Sequence, residues 1–318
     1  MSALFACGDN AVMLNILAMA KSFAASLIIL ALSMPSLASA AAPAPLILKP
    51  SSKWHVDYAY ERCRLARQFG EGKQTVFLMM DRFGPTDSFR LTISGHLVRT
   101  FVEKGDADIQ FGPNEQKQQL AFLKGNLGDD PALVFTRSAR IAPPSATEAL
   151  EMKKADDDEA VVLLPISEDR QKAVRHLRIG KPLRKPVMLE IGSMRGPLAA
   201  LDTCIDNLLV SWGVDVEKHK TLSKQAKPLQ SPGKWIVSSD YPSNMLSAGQ
   251  PALVNFRLNI GLDGAPTACH IQATTRPKEF DDAVCKSVMR RARFSPAFDA
   301  QGQPLASYYQ NNVYFSLP

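Results

Sequence analysis

Few residues in this chain are spaced for chemistry. The five histidines, His55, His96, His176, His219 and His270, stand singly, and none has the spacing of a two-His or Cys/His metal motif. They read as structural or solvent-facing, so neither a metal nor a cofactor is expected. Gly70-Glu71-Gly72-Lys73-Gln74-Thr75 looks like the tail of a phosphate-binding loop, yet the glycine that should open the motif falls on Arg67, and a β-turn explains the segment better. In Gly192-Ser193-Met194-Arg195-Gly196 the serine is one position out for a nucleophile elbow. Asp81, Asp87 and the run Asp156-Asp157-Asp158-Glu159 would serve as paired carboxylates or a calcium loop, although loose acidic loops are usually only solvated. The basic set Lys172, Arg175, Arg178, Lys181, Arg184 and Lys185 would suit lipid headgroups or an acidic partner, and equally an ordinary charged surface. No catalytic residue is assigned and a non-enzyme is expected. An enzyme built on Asp81 and Asp87 is the alternative from a different class.

Residues 23–34 form a short apolar run behind Lys21, and Pro35 leads to Ala38-Ser39-Ala40, a small-x-small cleavage signature. Residues 1–40 are therefore expected to be a secretory signal peptide, with translation from Met13 or Met19 as a shorter variant. The run falls short of the roughly 20 residues that span a bilayer; an uncleaved anchor is the alternative. Cleavage removes Cys7 and leaves four cysteines, an even number in an exported chain, where two disulfides are the natural state. Three connectivities are open to four cysteines. Spacing and the face of each residue favour Cys269–Cys285 and Cys63–Cys204.

A length of 318 residues predicts two domains, or one large domain with processing segments. The content of 46% hydrophobic, 21% charged and 8% aromatic residues supports a packed core and excludes collagen, coiled coil and long disorder. A net charge of +6 is modest for this length and argues against a nucleic-acid partner. Residues 217–233 mix prolines and lysines with a closing Gly233 and no apolar period, so a linker is placed at 216–234. Upstream, in 45–215, the runs Trp54–Tyr60, Thr75–Met80, Phe89–Ile93, Ala132–Phe135, Val161–Pro165 and Pro186–Ile191 predict a strand-rich domain of unassigned function. It closes on a helix at Pro197–Trp212, where Leu198, Leu201, Ile205, Leu208, Leu209 and Trp212 recur at helical spacing before Gly213. Residues 137–159 read as an exposed loop.

From Trp235 the pattern sharpens. Val254, Phe256, Leu258 and Ile260 alternate with Asn255, Arg257 and Asn259, the two-residue period of a half-buried strand. Asp263-Gly264 turns the chain into a second strand, about Pro266 to Thr274, with Cys269 and Ile271 inward. Pro277, then Glu279, Asp281 and Asp282 early and Arg290, Arg291 and Arg293 late, match the two ends of a helix macrodipole. Phe280, Val284, Val288 and Ala292 form its apolar stripe, and Cys285 lies beside it, within reach of Cys269. Closing that loop is worth on the order of 3 kcal/mol in the chain-entropy model. In the last strand Tyr309, Asn311, Val313 and Phe315 alternate with Tyr308, Gln310, Asn312 and Tyr314, and the latter set is expected to form an accessible face. The whole is an α+β protein: a strand-rich region followed by a small module.

Taken in order, Asp240-Tyr241-Pro242, an alternating strand, Asp263-Gly264, a helix opening near Phe280-Asp281 and closing on Arg291-Ala292-Arg293-Phe294-Ser295-Pro296-Ala297, then Gly302-Gln303-Pro304 and a strand ending Val313-Tyr314-Phe315 form a pattern. It resembles the TonB C-terminal domain family over about 235–318. The resemblance implies a three-stranded antiparallel sheet packed on one main helix, in a periplasmic module that binds a protein partner. Partners of that kind are envelope proteins such as TonB-dependent outer-membrane receptors, with transport across the outer membrane as the setting. Strand addition at a sheet edge is the expected physical route. The expected binding residues are Tyr241, Pro242 and the strand Tyr309, Gln310, Asn311, Asn312, Val313, Tyr314 and Phe315. A true energy transducer, coupled to an ExbB/ExbD-type motor, is the alternative if the N-terminal helix is retained. The other is a periplasmic enzyme localised by the module.

Overall fold

The short apolar and β-branched runs of the first half pair into one continuous sheet. The computed structural model describes residues 43–144, 165–275 and 277–316. The expected leader at 1–40, the acidic run Asp156–Glu159 and most of the Val161–Pro165 run lie outside those residues. The large sheet has ten strands: β1 (Leu46–Leu48), β2 (His55–Ala59), β3 (Arg62–Phe69), β4 (Val76–Arg82), β5 (Arg90–Ser94), β6 (Lys104–Phe111), β7 (Gln118–Leu127), β8 (Asp130–Phe135), β9 (Leu177–Ile179) and β10 (Val187–Leu189). Their spatial order is β1-β10-β9-β6-β7-β8-β5-β4-β3-β2. The β1–β10 pair is parallel and the other pairs are antiparallel.

Two helices follow the helical period of their sequence. Helix α1 (Glu168–Ala173) starts at Ser167, whose hydroxyl accepts from the Arg170 N–H. Helix α2 (Arg195–Ser211) buries Leu198, Leu201, Ile205 and Leu208 against the large sheet, and Gly213 follows it with φ of 77°. Cys204 on this helix is bonded to Cys63 on β3, with Cα atoms 6.0 Å apart. The segment from 216 to 234 carries α3 (Val216–Lys220) and β11 (Lys227–Pro228), and it is tied to the C-terminal module by main-chain bonds from Leu229 to Arg293 and from Ser223 to Phe298.

The C-terminal module holds β12 (Ala252–Ile260), β13 (Pro266–Thr274) and, after helices α4 (Ser243–Ser247) and α5 (Lys278–Arg291) and the short strands β14 (Phe294–Ser295), β15 (Ala297–Phe298) and β16 (Pro304–Leu305), the last strand β17 (Ser307–Phe315). The small sheet runs β13-β12-β17, all antiparallel. Helix α5 covers one face, packing Phe280, Val284 and Val288 against Val254, Phe256 and Leu258 around the buried Trp235. Cys285 of α5 is bonded to Cys269 of β13, with Cα atoms 5.6 Å apart. Gly264 sits at φ of 78°, and a Cβ there would lie 2.0 Å from the Phe294 carbonyl oxygen, so the Asp-Gly turn lets the chain after α5 close on the hairpin.

The alternation in β12 predicts one solvated face, but Asn255 and Arg257 are only 4% and 3% exposed. The N-terminal region covers that face, and does so with polar groups. Arg257 donates from Nε to Glu61 Oε2 at 3.1 Å and from Nη2 to Oε1 at 2.9 Å, while its guanidinium lies 4.1 Å from the Trp212 ring. Gln272 donates to the Glu61 carbonyl at 3.1 Å, and Gln310 donates to the Phe83 carbonyl. Tyr308, expected on an accessible face, packs on Trp212 and His219 instead.

Removing one partner of a buried ion pair strands the other charge. Arg257→Met should cost about 3–5 kcal/mol, and Glu61→Leu combined with Arg257→Met should recover most of that loss. A double-mutant cycle by urea unfolding of the full chain measures both.

Candidate functional site

Strand β17 is an edge of the small sheet, paired on one side only with β12, from Ser307 opposite Ile260 to Phe315 opposite Ala252. Which of its main-chain groups are free follows from the antiparallel alternation. Leu253 of β12 bonds on its other side, accepting from the Thr275 N–H at 3.1 Å and donating to Thr275 Oγ1 at 3.0 Å. Its cross-strand partner Tyr314 therefore turns its N–H and C=O away from β12, and the period of two does the same at Asn312 and Gln310. The Asn312 N–H agrees with this direction, donating to Asn311 Oδ1 of its own strand at 2.8 Å.

Cavities open on both faces beside this edge. On the helix side a space of about 410 Å³ is bordered by Trp235, Ile236, Val288 and Val313. On the opposite side a space of about 330 Å³ lies between Phe83, Thr86 and Arg90 of the N-terminal region and Asn255, Gln310 and Asn312 of the module.

The expected binding residues divide by position. Asn312 and Tyr314 are exposed at the edge, Tyr314 at 37%. Val313 borders the helix-side cavity. Tyr309 is packed between Trp235 and Phe294, with ring centroids 5.5 and 5.0 Å away, and its hydroxyl accepts from Asn311 Nδ2 at 2.9 Å. Phe315 is buried in the module core. Gln310 is occupied by the Phe83 carbonyl and by Gln272 Oε1. Burial pushes the hydroxyl of Tyr308 up to about 12. Tyr241 and Pro242 lie under the end of the edge rather than along it. The Tyr241 ring packs on Phe280 and Phe315 at 5.6 and 5.2 Å and its hydroxyl donates to the Gln250 carbonyl at 2.5 Å, while the Pro242 carbonyl accepts from Met245 and Leu246.

Asp81 and Asp87, the acidic candidates among the described residues, are each held by arginine. Asp81 accepts from Arg64 at 2.6 and 2.8 Å, and Asp87 accepts from Arg140 at 3.1 Å and from the Ile166 N–H at 3.0 Å. Among the described residues no group of three or more His, Cys, Asp or Glu side chains converges.

One ion pair beside the site was missed in the sequence. Asp240 Oδ2 accepts from Arg291 Nη1 at 2.5 Å and Oδ1 from Nη2 at 3.1 Å, and Asp240 Oδ2 also accepts from the Val237 N–H at 2.8 Å. Arg291 further donates to the Trp235 carbonyl at 2.6 Å. These contacts clamp the segment that walls the helix-side cavity to the end of α5. The only local sign was an arginine at a helix C-terminus, where the macrodipole alone accounts for it.

The C-terminal module is thus an antiparallel sheet of three strands on one helix, with its last strand at an edge. Residues 237–317 match the family described as Gram-negative bacterial TonB protein C-terminal. This part of the chain is a TonB-type C-terminal domain. Among curated proteins none matches the sequence.

Hydrogen bonding to Arg291 holds the Asp240 carboxyl at about 2, below the usual carboxylate range. A depressed folded value means stability that is present above about pH 4 and is lost as pH falls towards 2. Asp240→Asn should therefore lower Tm at neutral pH, and the gap to the parent chain should close over that acidic window. Thermal unfolding followed at several pH values tests it.

Proposed function

We propose that this chain is an exported, disulfide-bonded envelope protein without enzymatic activity, whose TonB-type module captures an extended segment of a protein partner by strand addition on β17. The observation that carries this reading is the row of main-chain groups at Gln310, Asn312 and Tyr314 that faces away from β12 between two cavities, with only the Asn312 N–H covered, by the side chain of Asn311. Main-chain pairing there supplies affinity, and side chains entering the cavities supply selectivity. The two disulfides support an oxidising compartment, the periplasm. A TonB-dependent outer-membrane receptor is the class of partner the family match supports. Coupling to an ExbB/ExbD-type motor belongs to this reading only if the apolar run at 23–34 stays in the membrane, which the mass of the mature N-terminal peptide decides.

Proline tests the edge without disturbing the ladder. The N–H of Tyr314 points to the free side, so Tyr314→Pro removes an edge donor and is tolerated by the β12 pairing. Val313→Pro removes a bond to β12 and should destabilise the module itself. Tyr314→Pro should keep the parent Tm within a few degrees and lose capture of an extended peptide by at least ~10-fold, read by calorimetry. Unchanged capture by this variant would sink strand addition on β17.

A further inference from the structure

The cavity on the polar side of β17 contains a cation with too few partners. Arg90 is 7% exposed and borders the 330 Å³ space. Among the described residues its guanidinium makes one hydrogen bond, from Nη2 to Asn255 Oδ1 at 2.5 Å, lies 5.5 Å from the centre of the Phe83 ring, and enters no ion pair within 4 Å. Its Nε has no acceptor, and neither does Nδ2 of Asn255 beside it. The carboxylate placed opposite it across the ladder, Asp81, is spent on Arg64 and lies near Arg62 as well. Arg62, Arg64 and Arg90 stand against Asp81 and Asp57, so the local balance is still positive. A buried guanidinium left with one acceptor is costly to a fold, and an apolar side chain of similar length would serve the packing better. Desolvation lowers Arg90 to about 10, so it still carries its charge at neutral pH.

The position of this group matters more than its burial. A strand added along Gln310–Tyr314 alternates its side chains between the two faces of the sheet. One set enters the helix-side cavity beside Trp235, Ile236 and Val288, and the other enters the cleft beside Arg90. We infer that the cleft is a subsite for a carboxylate side chain of the added strand, so that the partner segment is an extended peptide with apolar residues on one face and an acidic residue on the other. This rests on the strand-addition reading above and adds to it the partner's chemistry, supplied by a residue outside the TonB-type module. The acid would give Arg90 a carboxylate of its own, where Asp81 is shared with Arg64 and Arg62.

Two blocked peptides of about seven residues, the length of an ordinary strand, make the test. Both alternate Val and Ser; one carries a single central Glu and the other Gln, with acetylated and amidated ends so that Glu is the sole carboxylate. The full mature chain should bind the Glu peptide at least ~30-fold more tightly than the Gln peptide at low salt, the lower range for pairing a buried charge. Arg90→Met should erase that preference while Tm stays level or rises, and Arg90→Lys should keep part of it. Equal binding of the two peptides by the parent chain, abolished in both cases by Tyr314→Pro, overturns the carboxylate subsite and leaves strand addition standing. A Glu preference that survives Tyr314→Pro overturns the placing of that carboxylate on a strand added to β17. No binding of either peptide overturns both, and a preference that persists in Arg90→Met overturns the assignment to Arg90.

Discussion

A single guanidinium governs how the two parts of this protein meet. Arg257 projects from the middle of β12 on the face away from α5, and a charge there can neither face hydrocarbon nor be left unpaired in a buried seam. Glu61, at the turn between β2 and β3, supplies the fork of acceptors, and Trp212 at the end of α2 supplies a ring to stack on. The elements that surround Arg257 are therefore distant in sequence but fixed in space. Disulfide Cys63–Cys204 joins β3 to α2, the same two neighbourhoods that present Glu61 and Trp212.

With α5 on one face and the N-terminal region on the other, the small sheet is enclosed above and below. What remains open is its rim. In the final strand Tyr308 and Gln310 are anchored on Trp212 and Phe83, while the side chains of Asn312 and Tyr314 are exposed. Anchoring at one end keeps the edge straight and in register without pairing it. The side chain of Asn311 caps the nearest free donor and so blunts the edge against indiscriminate pairing, a device that edge strands need.

The sequence made some of this plain and hid the rest for physical reasons. In β12 and α5 the hydrophobic face is made of large residues at one period, Val254, Phe256 and Leu258 or Phe280, Val284 and Val288, so period alone marks them. Strands β3 and β6 carry the two-residue period as well, Cys63 and Leu65 against Arg62 and Arg64, and Ala107, Ile109 and Phe111 against Asp106, Asp108 and Gln110, but small residues on the inner face and charges on the other make them read as polar stretches. The edge strand was legible as a strand, yet its polar residues looked solvated because nothing local distinguishes a face turned to water from one turned to a polar seam. The contacts that decide it join residues far apart, Gln310 of the edge strand to Phe83 across 227 positions and Arg257 of β12 to Glu61 across 196. Spacing along a chain carries no trace of such partners.

The parallel pair β1–β10 and the bond between Cys63 and Cys204 share one property: each joins stretches of chain more than 130 residues apart, Leu46 with Val187 and Cys63 across a separation of 141. Loop closure over such distances is slow compared with forming a hairpin and the helix that follows it. The TonB-type module needs only neighbours, its own disulfide closing after 16 residues. The contacts inside the module are thus local, whereas those that cover Arg257 come from residues far away in the chain. With Asn255, Arg257 and Gln272 on it, the face of the small sheet turned to the N-terminal region is one that water could solvate as well as protein does, unlike the apolar face under α5.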